Sequence, residues 1–257
     1  MNIPNNPAAR LVEIINKCRG LSKNYTCSQA WSKFFKIPNS DNPILLRKIS
    51  KVALLPREIK DEIMKLKGYD HNVLLRWYPR GNDALNNMHF QRKWETFLDV
   101  YQGDISYGIE VCSELLSNNR PEKTVKIDLV ISISQQVEDL IKFVESDNID
   151  TRSKTFILSS LYRLQGSLED IEIGGVREVE ESFNTIIGSV IVNNNLNVKP
   201  TDSSSAKKFW EIMGRVAIVF TLATGSFAIG KEVVDLISEE QENVEVVQEL
   251  DKQPIEI

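Results

Sequence analysis

The chain has 257 residues, of which 42 % are hydrophobic and 8 % aromatic, so it can bury a core and is not a disordered protein. Its three cysteines, Cys18, Cys27 and Cys112, are widely spaced and form no CxxC pattern, which argues against a disulfide framework and against a thiolate zinc site. The net charge is −5, yet Lys and Arg outnumber Asp and Glu over residues 1–100. This imbalance indicates either an anionic partner or attraction between two parts of one fold.

The N-terminal stretch MNIPNNPAAR has no basic region that leads into an apolar one, so we expect no cleaved signal peptide. Helical spacing of apolar residues recurs along the chain, and period-two alternation is nearly absent, which predicts an all-α fold with an irregular multi-helix bundle. Residues 1–120 form a basic region that prolines divide into short helices. Within this region, Pro56 is expected in the first turn of a helix that ends at Gly68.

A three-helix bundle is predicted for residues 121–193. Its first helix has apolar residues at the i, i+3, i+4 and i+7 positions of one face, namely Val137, Leu140, Ile141 and Val144. Residues 125–134 also alternate and are β-branched, so a strand is an alternative for this stretch, although a helix is favoured. The second helix is expected to have Asp150 as its N-cap.

Gly174 and Gly175 are expected to end that second helix, and a third helix is predicted for residues 176–191. Residues 194–205 contain few apolar side chains and are expected to form a polar linker. Residues 206–237 are then expected to form an apolar helix. The final residues, 238–257, are acidic and lack aromatic side chains, which predicts a disordered tail.

The run Val216–Gly230 has no charged residue and lies between Arg215 and Lys231. Counted on to Ile237, it has 22 residues, which as a helix would span about 33 Å, enough for a hydrocarbon core of about 30 Å. We expect this helix to be a single membrane span. A core helix that other helices surround is one alternative, and a helix that inserts reversibly into a membrane is another.

The residues that flank the run favour a membrane. Lys207, Lys208 and Arg215 precede it and acidic residues follow it, a pattern that places the body in the cytoplasm and the tail outside a bacterial inner membrane. A cytoplasmic protein is the alternative location. The predicted membrane-anchoring residues are Phe209, Trp210, Arg215, Val216, Phe220, Phe227 and Lys231.

Motifs for catalysis are missing from the sequence. The two histidines, His71 and His89, have no partners at metal-ligand spacing, and no phosphate-binding glycine loop or nucleophile elbow is present. We therefore expect no catalytic residue, no metal and no cofactor.

Basic residues alternate with aromatic ones in three stretches, at residues 31–36, 76–80 and 92–94. The residues predicted to contact an anion or a nucleic acid are Arg76, Trp77, Arg80, Arg92 and Lys93. Cations that neutralise phosphates beside rings that stack on bases suit single-stranded nucleic acid. The same composition also suits a membrane headgroup layer, and aromatic core residues flanked by extended cations are a third interpretation.

From Val137 to Asn193 the order of elements resembles a segment of uncharacterised bacterial all-helical proteins. In those proteins a linker and a terminal apolar helix tend to follow, as they do here with Phe209, Trp210 and Arg215. The resemblance covers less than half of the chain and carries no catalytic motif. It implies a bacterial or phage-related source, and the layout is similar in plan to abortive-infection effectors.

These features together lead to a working hypothesis. We expect a non-enzymatic helical sensor, scaffold or effector that a C-terminal helix anchors to a bacterial inner membrane, with a protein partner and a role in phage defence. The alternative is a soluble helical module that binds nucleic acid.

Overall fold

The computed structural model describes residues 3–38, 43–122, 124–193 and 197–224, with side chains described as far as Phe220. Within these ranges the backbone is helical and has no β-strand, which confirms the all-α prediction. The helices, in chain order, are α1 (Pro7–Arg19), α2 (Cys27–Phe35), α3 (Pro43–Ile63), α4 (His71–Leu74), α5 (Tyr78–Asn86), α6 (Trp94–Val100), α7 (Asp104–Asn119), α8 (Ile127–Ser146), α9 (Thr151–Glu169), α10 (Ile171–Val192) and α11 (Ser204–Thr224).

Polar side chains cap the starts of several helices. The Asp150 carboxylate accepts a hydrogen bond from the Ser153 amide at 2.9 Å, as expected of an N-cap for α9. At the start of α2, Thr26 and Gln29 form a capping box, in which each side chain accepts from the other residue's backbone amide. The Ser203 hydroxyl accepts from the Ala206 amide at 3.0 Å and so caps α11.

Helix α3 continues through Pro56, where the sequence suggested that a new helix begins. A proline inside a helix costs about 3 kcal/mol through its missing hydrogen bond and its ring. The buried residues of α3 keep one helical face on both sides of the proline, and each fully buried aliphatic side chain contributes about 1.5–3 kcal/mol. Those residues are Leu45, Ile49, Val52, Leu55, Ile59 and Ile63. The continuous apolar face therefore outweighs the proline.

The described residues form two compact units. Unit 1 contains positions 3–128 and 166–179, and unit 2 contains positions 129–165 and 180–224. In unit 1, α1 packs against α3 and α7, and α3 also packs against α5. An aromatic cluster fills part of this core, where the Trp94 ring stacks on Phe97 at a centroid distance of 4.7 Å and meets the edge of Trp31 at 5.3 Å.

Buried charges connect the basic start of the chain to its acidic middle within unit 1. Asp170 is fully buried and pairs with Lys48, with Lys51 at 2.6 Å and with Arg47 at 3.4 Å. Lys51 also pairs with Glu178. These contacts show that attraction within the fold accounts for part of the charge imbalance in the sequence.

A second buried charge lies at a bend in α10. Arg10, which is 1 % exposed, pairs with Glu122 and donates from Nε to the carbonyl of Ile173 at 2.8 Å. Gly175 has φ +70°, and a Cβ atom there would lie 2.5 Å from Arg10 Nη1. The backbone of Gly175 is not helical, so α10 consists of two helices that meet at a kink there, as the glycine pair predicts, although the preceding helix α9 already ends at Glu169. Gly175 fits at this kink where a larger residue would not.

Unit 2 is built around the apolar face predicted for α8, and its four members, Val137, Leu140, Ile141 and Val144, are all buried. Side chains of α11 join the same unit. The Lys208 ammonium lies 4.7 Å from the centre of the Phe143 ring, and the Ser205 hydroxyl donates to Asp147 at 2.5 Å. The first turns of α11 are thus held to α8 and to the residue that follows it.

Candidate anion-binding cleft and C-terminal helix

A cleft of about 230 Å³ opens in unit 1 between α5 and α6, beside the loop that joins them. Polar and charged groups line it together with apolar ones, and the lining residues are Cys27, Arg80, Asp83, Ala84, Asn87, Met88, His89, Arg92, Thr96, Phe97 and Val100. Arg80, Asp83 and Asn87 lie three to four residues apart, so they share one face of α5 and of the turn that ends it.

The loop between α5 and α6 is held by the start of α2. The Cys27 amide donates to the carbonyl of Arg92 at 2.9 Å, and the Ser28 amide donates to the carbonyl of Phe90 at 3.0 Å. The Trp31 indole N–H lies 3.0 Å from the sulfur of Met88. Amides in the first turn of a helix have no partner inside the helix, so the loop carbonyls satisfy two of them and fix the loop.

Two arginines on the rim keep their donors open. Arg80 and Arg92 are exposed, and neither guanidinium makes a hydrogen bond or an ion pair within the described part of the chain. His89 is also exposed on this rim. The Asp83 carboxylate accepts a hydrogen bond from the side-chain amide of Asn87 at 2.5 Å.

The floor of the cleft is apolar. Phe97 and Cys27 are buried, and Ala84, Met88 and Val100 are partly buried. Guanidinium groups bind phosphates and carboxylates with paired hydrogen bonds, and an apolar floor accepts a flat or aliphatic group. The cleft is therefore suited to a small anion with an apolar body.

The cleft has a thiol that is poorly suited to act as a nucleophile. Burial raises the pKa of the Cys27 thiol, and the nearby charge of Arg92 offsets only part of that effect. Since the thiolate is the reactive form, a raised pKa keeps Cys27 protonated and unreactive at neutral pH. The lining thus favours binding over covalent chemistry.

The structure brings two of the five predicted anion-contact residues to this cleft, namely Arg80 and Arg92. Trp77 is only 3 % exposed, and its indole N–H donates to the Cys112 sulfur at 3.4 Å. Its ring is part of the core and presents no surface on which a base could stack. Arg76 and Lys93 are exposed but do not line the cleft.

The sequence pattern does not identify the other residues that line the cleft. Asp83 and Asn87 differ little from other polar residues on an exposed helix face. The spacing of Arg80, Asp83 and Asn87 along α5 is a signal that could have joined them, but their approach to Thr96 and Val100 of α6 depends on the fold.

The predicted membrane-anchoring residues fall into three groups. Four of them, Phe209, Trp210, Val216 and Phe220, are buried in unit 2. Arg215 is exposed, and its guanidinium donates to the side-chain oxygen of Gln136 at 2.7 Å. Phe227 and Lys231 lie outside the described residues.

Two aromatic side chains expected at a membrane interface instead pack within unit 2. The Phe209 ring lies 6.2 Å from that of Phe156 in α9, and the Trp210 indole N–H donates to the carbonyl of Val198 at 2.5 Å. Val198 is itself buried, so part of the predicted linker packs against α11. Aromatic and basic residues at the start of an apolar helix fit either location, and here the helix uses the aromatic ones for packing.

Among the described residues, no helix combines the length and the apolar character that a bilayer crossing requires. Nor does the described part of the chain contain three or more His, Cys, Asp or Glu residues grouped to hold a metal ion.

Comparisons of the chain with protein families, curated proteins and solved structures found no match.

Proposed function

We propose that the chain is a non-enzymatic helical sensor or effector, attached to a bacterial inner membrane by its C-terminal helix with its body in the cytoplasm. The observation that carries this proposal is a change in the character of α11 at Val216. Up to Arg215 the helix is amphipathic, whereas from Val216 to Gly230 the sequence has no charged residue.

The amphipathic part of α11 has an evident partner. Ala206, Phe209 and Met213 are fully buried in unit 2, while Lys207 and Glu211 are exposed. A helix segment that is apolar on every side needs apolar surroundings on every side. In this proposal the helix continues through the uncharged sequence beyond Thr224, and a membrane supplies the apolar surroundings that this sequence needs.

The number of residues after Phe220 limits how the proposed helix could cross a membrane. Because Val216 and Phe220 are buried in unit 2, the part available to a membrane begins after Phe220. Residues 221–237 would form a helix of about 25 Å, near the lower limit for crossing a bilayer. This stretch includes Lys231, Glu232 and Asp235, so in this proposal unit 2 rests against the membrane surface and these three charged residues lie at the far interface.

The packing of α11 also determines which variants can test the proposal. A truncation before Ala206 would remove Phe209, Trp210 and Met213 from the core of unit 2 and would disturb folding whether or not a membrane is involved. Changes beyond Phe220 leave those contacts in place.

The test is fractionation of bacterial cells that express the full chain. We expect the wild type in the membrane pellet after washing at high salt. Ala223→Arg with Phe227→Arg places two charges in the apolar run, at a cost of about 2.5–3.5 kcal/mol each near a bilayer centre, and should release the chain. The matched control adds the same charges to the acidic tail, as Gln241→Arg with Gln248→Arg, and should stay in the pellet. A soluble wild type, or a pelleted double variant with normal folding, would contradict the proposal.

Phage defence is the setting that the layout of a helical body and a terminal helix suggests. Cultures that express the wild type should resist lysis by an infecting phage better than cultures that express the Ala223→Arg, Phe227→Arg variant. Equal survival of the two cultures across a broad panel of phages would contradict a role in phage defence and would leave the proposed membrane attachment untouched.

A second candidate function is binding of nucleic acid by unit 1. It is favoured by one observation, that Arg80 and Arg92 share a cleft and have no partner within the described part of the chain. Single-stranded DNA and RNA should bind with an affinity that falls steeply as salt rises. Absent or salt-independent binding would count against this candidate.

A further inference from the structure

We propose that the cleft between α5 and α6 binds a single nucleotide, with the phosphate held by Arg80 and Arg92 and the base on the apolar floor. This inference rests on the second candidate function and gives its ligand a size and an orientation.

The size of the cleft supports one nucleotide. Its volume of about 230 Å³ lies just below the roughly 300–1,000 Å³ of typical small-molecule sites. That is room for a single base, and much less than a docked helix or a nucleic acid duplex requires. Ligands larger than one base would have to extend out past the rim.

The charges of the two rim arginines differ from those of the basic residues that pair within the core of unit 1. Lys48, Lys51 and Arg10 are largely buried and are paired with carboxylates, so their charge serves the fold. Arg80 lies in α5 and Arg92 in the loop that follows it, and both line the cleft with their guanidinium donors open. A phosphate is a group that guanidiniums bind well, with paired hydrogen bonds.

The remaining groups suit the rest of a nucleotide. The partly buried side chains of Ala84, Met88 and Val100 form an apolar floor against which a flat base can pack, and the buried Phe97 ring, stacked on Trp94, lies behind that floor. Asp83 and Asn87 offer an acceptor and a donor to the edge of a base or to a sugar hydroxyl.

A nucleotide could reach this cleft from two sources, as a free molecule or as one residue of a single strand. The chemistry is the same in both cases. Free adenosine and uridine monophosphates represent the first source, and single-stranded DNA and RNA oligonucleotides represent the second. Inorganic phosphate and the unphosphorylated nucleosides show whether both parts of the ligand are needed.

The experiment is calorimetric titration of the purified full chain with each of these probes. We expect a nucleoside monophosphate or an oligonucleotide to bind at least tenfold more tightly than phosphate or a nucleoside alone. Arg80→Ala and Arg92→Ala should each weaken binding about tenfold or more. Arg76→Ala is the matched control, since Arg76 is an exposed arginine outside the cleft, and it should change the affinity less than twofold.

A second variant tests the cleft without changing its charge. Ala84→Trp would fill the floor and should abolish binding, while a thermal melt checks that the protein remains folded. If the free monophosphates bind, the ligand is a free nucleotide. If only the oligonucleotides bind, the ligand is one residue of a single strand. No binding by either source would overturn the inference, as would an equal loss in Arg76→Ala and Arg80→Ala. Because membrane fractionation does not involve the cleft, failure here leaves the membrane proposal standing.

Discussion

Asp170 provides a sharp test of how residues 166–179 are joined to the first segment of unit 1. Its carboxylate is fully buried and lies against Lys48 and Lys51, whereas Glu172, two residues later, is exposed and pairs with Lys17 at 3.5 Å. Asp170→Ala removes a buried charge partner, and Glu172→Ala removes an exposed one. The two substitutions therefore change charge equally at positions of different burial.

The expected cost of Asp170→Ala follows from what the change leaves behind. Breaking a buried pair by removing one partner typically costs 3–5 kcal/mol. Lys51 would retain Glu178, and Lys48 would retain the carbonyl of Glu169 at 3.2 Å, so we expect the lower end, about 3 kcal/mol. An exposed pair contributes about 0–1 kcal/mol, which sets the expectation for Glu172→Ala.

The same carboxylate makes stability depend on pH. Burial alone would raise the pKa of Asp170, but hydrogen bonds from Lys48 and Lys51 outweigh burial and lower the pKa below its usual value. The stabilisation is therefore present above the pKa of the unfolded chain and is lost as the pH falls through the lower pKa of the folded state. Asp170→Ala should remove this part of the acid sensitivity.

Urea denaturation of the full chain, followed by tryptophan fluorescence, measures both effects, because three of the four tryptophans, Trp31, Trp77 and Trp94, lie in unit 1. The free energy of unfolding should fall by about 3 kcal/mol for Asp170→Ala and by less than about 1 kcal/mol for Glu172→Ala at pH 7. Equal losses for the two variants, or an unchanged acid dependence in Asp170→Ala, would refute the reasoning.

Four further substitutions test the packing of the two units. Phe209→Ala should destabilise unit 2 by about 3–5 kcal/mol, which a thermal melt should show as a lower midpoint temperature of unfolding. An unchanged midpoint would show that Phe209 is not a core residue. Gly108→Ala should cost about 1–2 kcal/mol in urea denaturation because its Cβ would lie 2.7 Å from the Trp77 ring, whereas Gly188→Ala meets open space and should stabilise by up to about 1 kcal/mol. Tyr101→Phe should cost about 1–2 kcal/mol, since its buried hydroxyl donates to the carbonyl of Gly81 at 2.5 Å, and a neutral effect would contradict that bond.

Local patterns predicted much of the fold. The apolar face from Val137 to Val144 and the cap at Asp150 depend on residues within a few positions of each other, and both are confirmed. Pro56 was assigned to a helix start because a proline disrupts a helix locally, yet burial along the whole of α3 decides the outcome. A local sequence pattern does not contain the stabilisation that comes from contacts between residues far apart in the sequence.

The candidate site shows the same limit. Basic and aromatic residues cluster around Arg80 and Arg92, but composition does not distinguish a ring that is exposed from one, such as Trp77, that lies in the core. The cleft itself depends on carbonyls of the loop meeting the first amides of α2, at Cys27 and Ser28. The partners in both bonds, Arg92 and Phe90, are more than 60 positions away in the sequence, so the pairing follows from tertiary structure alone.

The central claim is that the C-terminal segment crosses a membrane while the body stays in the cytoplasm. Protease treatment of intact spheroplasts that express the full chain with a tag after Ile257 tests it most directly. We predict that the tag is removed from outside while the body is protected until the cells are lysed. A tag that is protected in intact spheroplasts and cleaved only after lysis would contradict the claim.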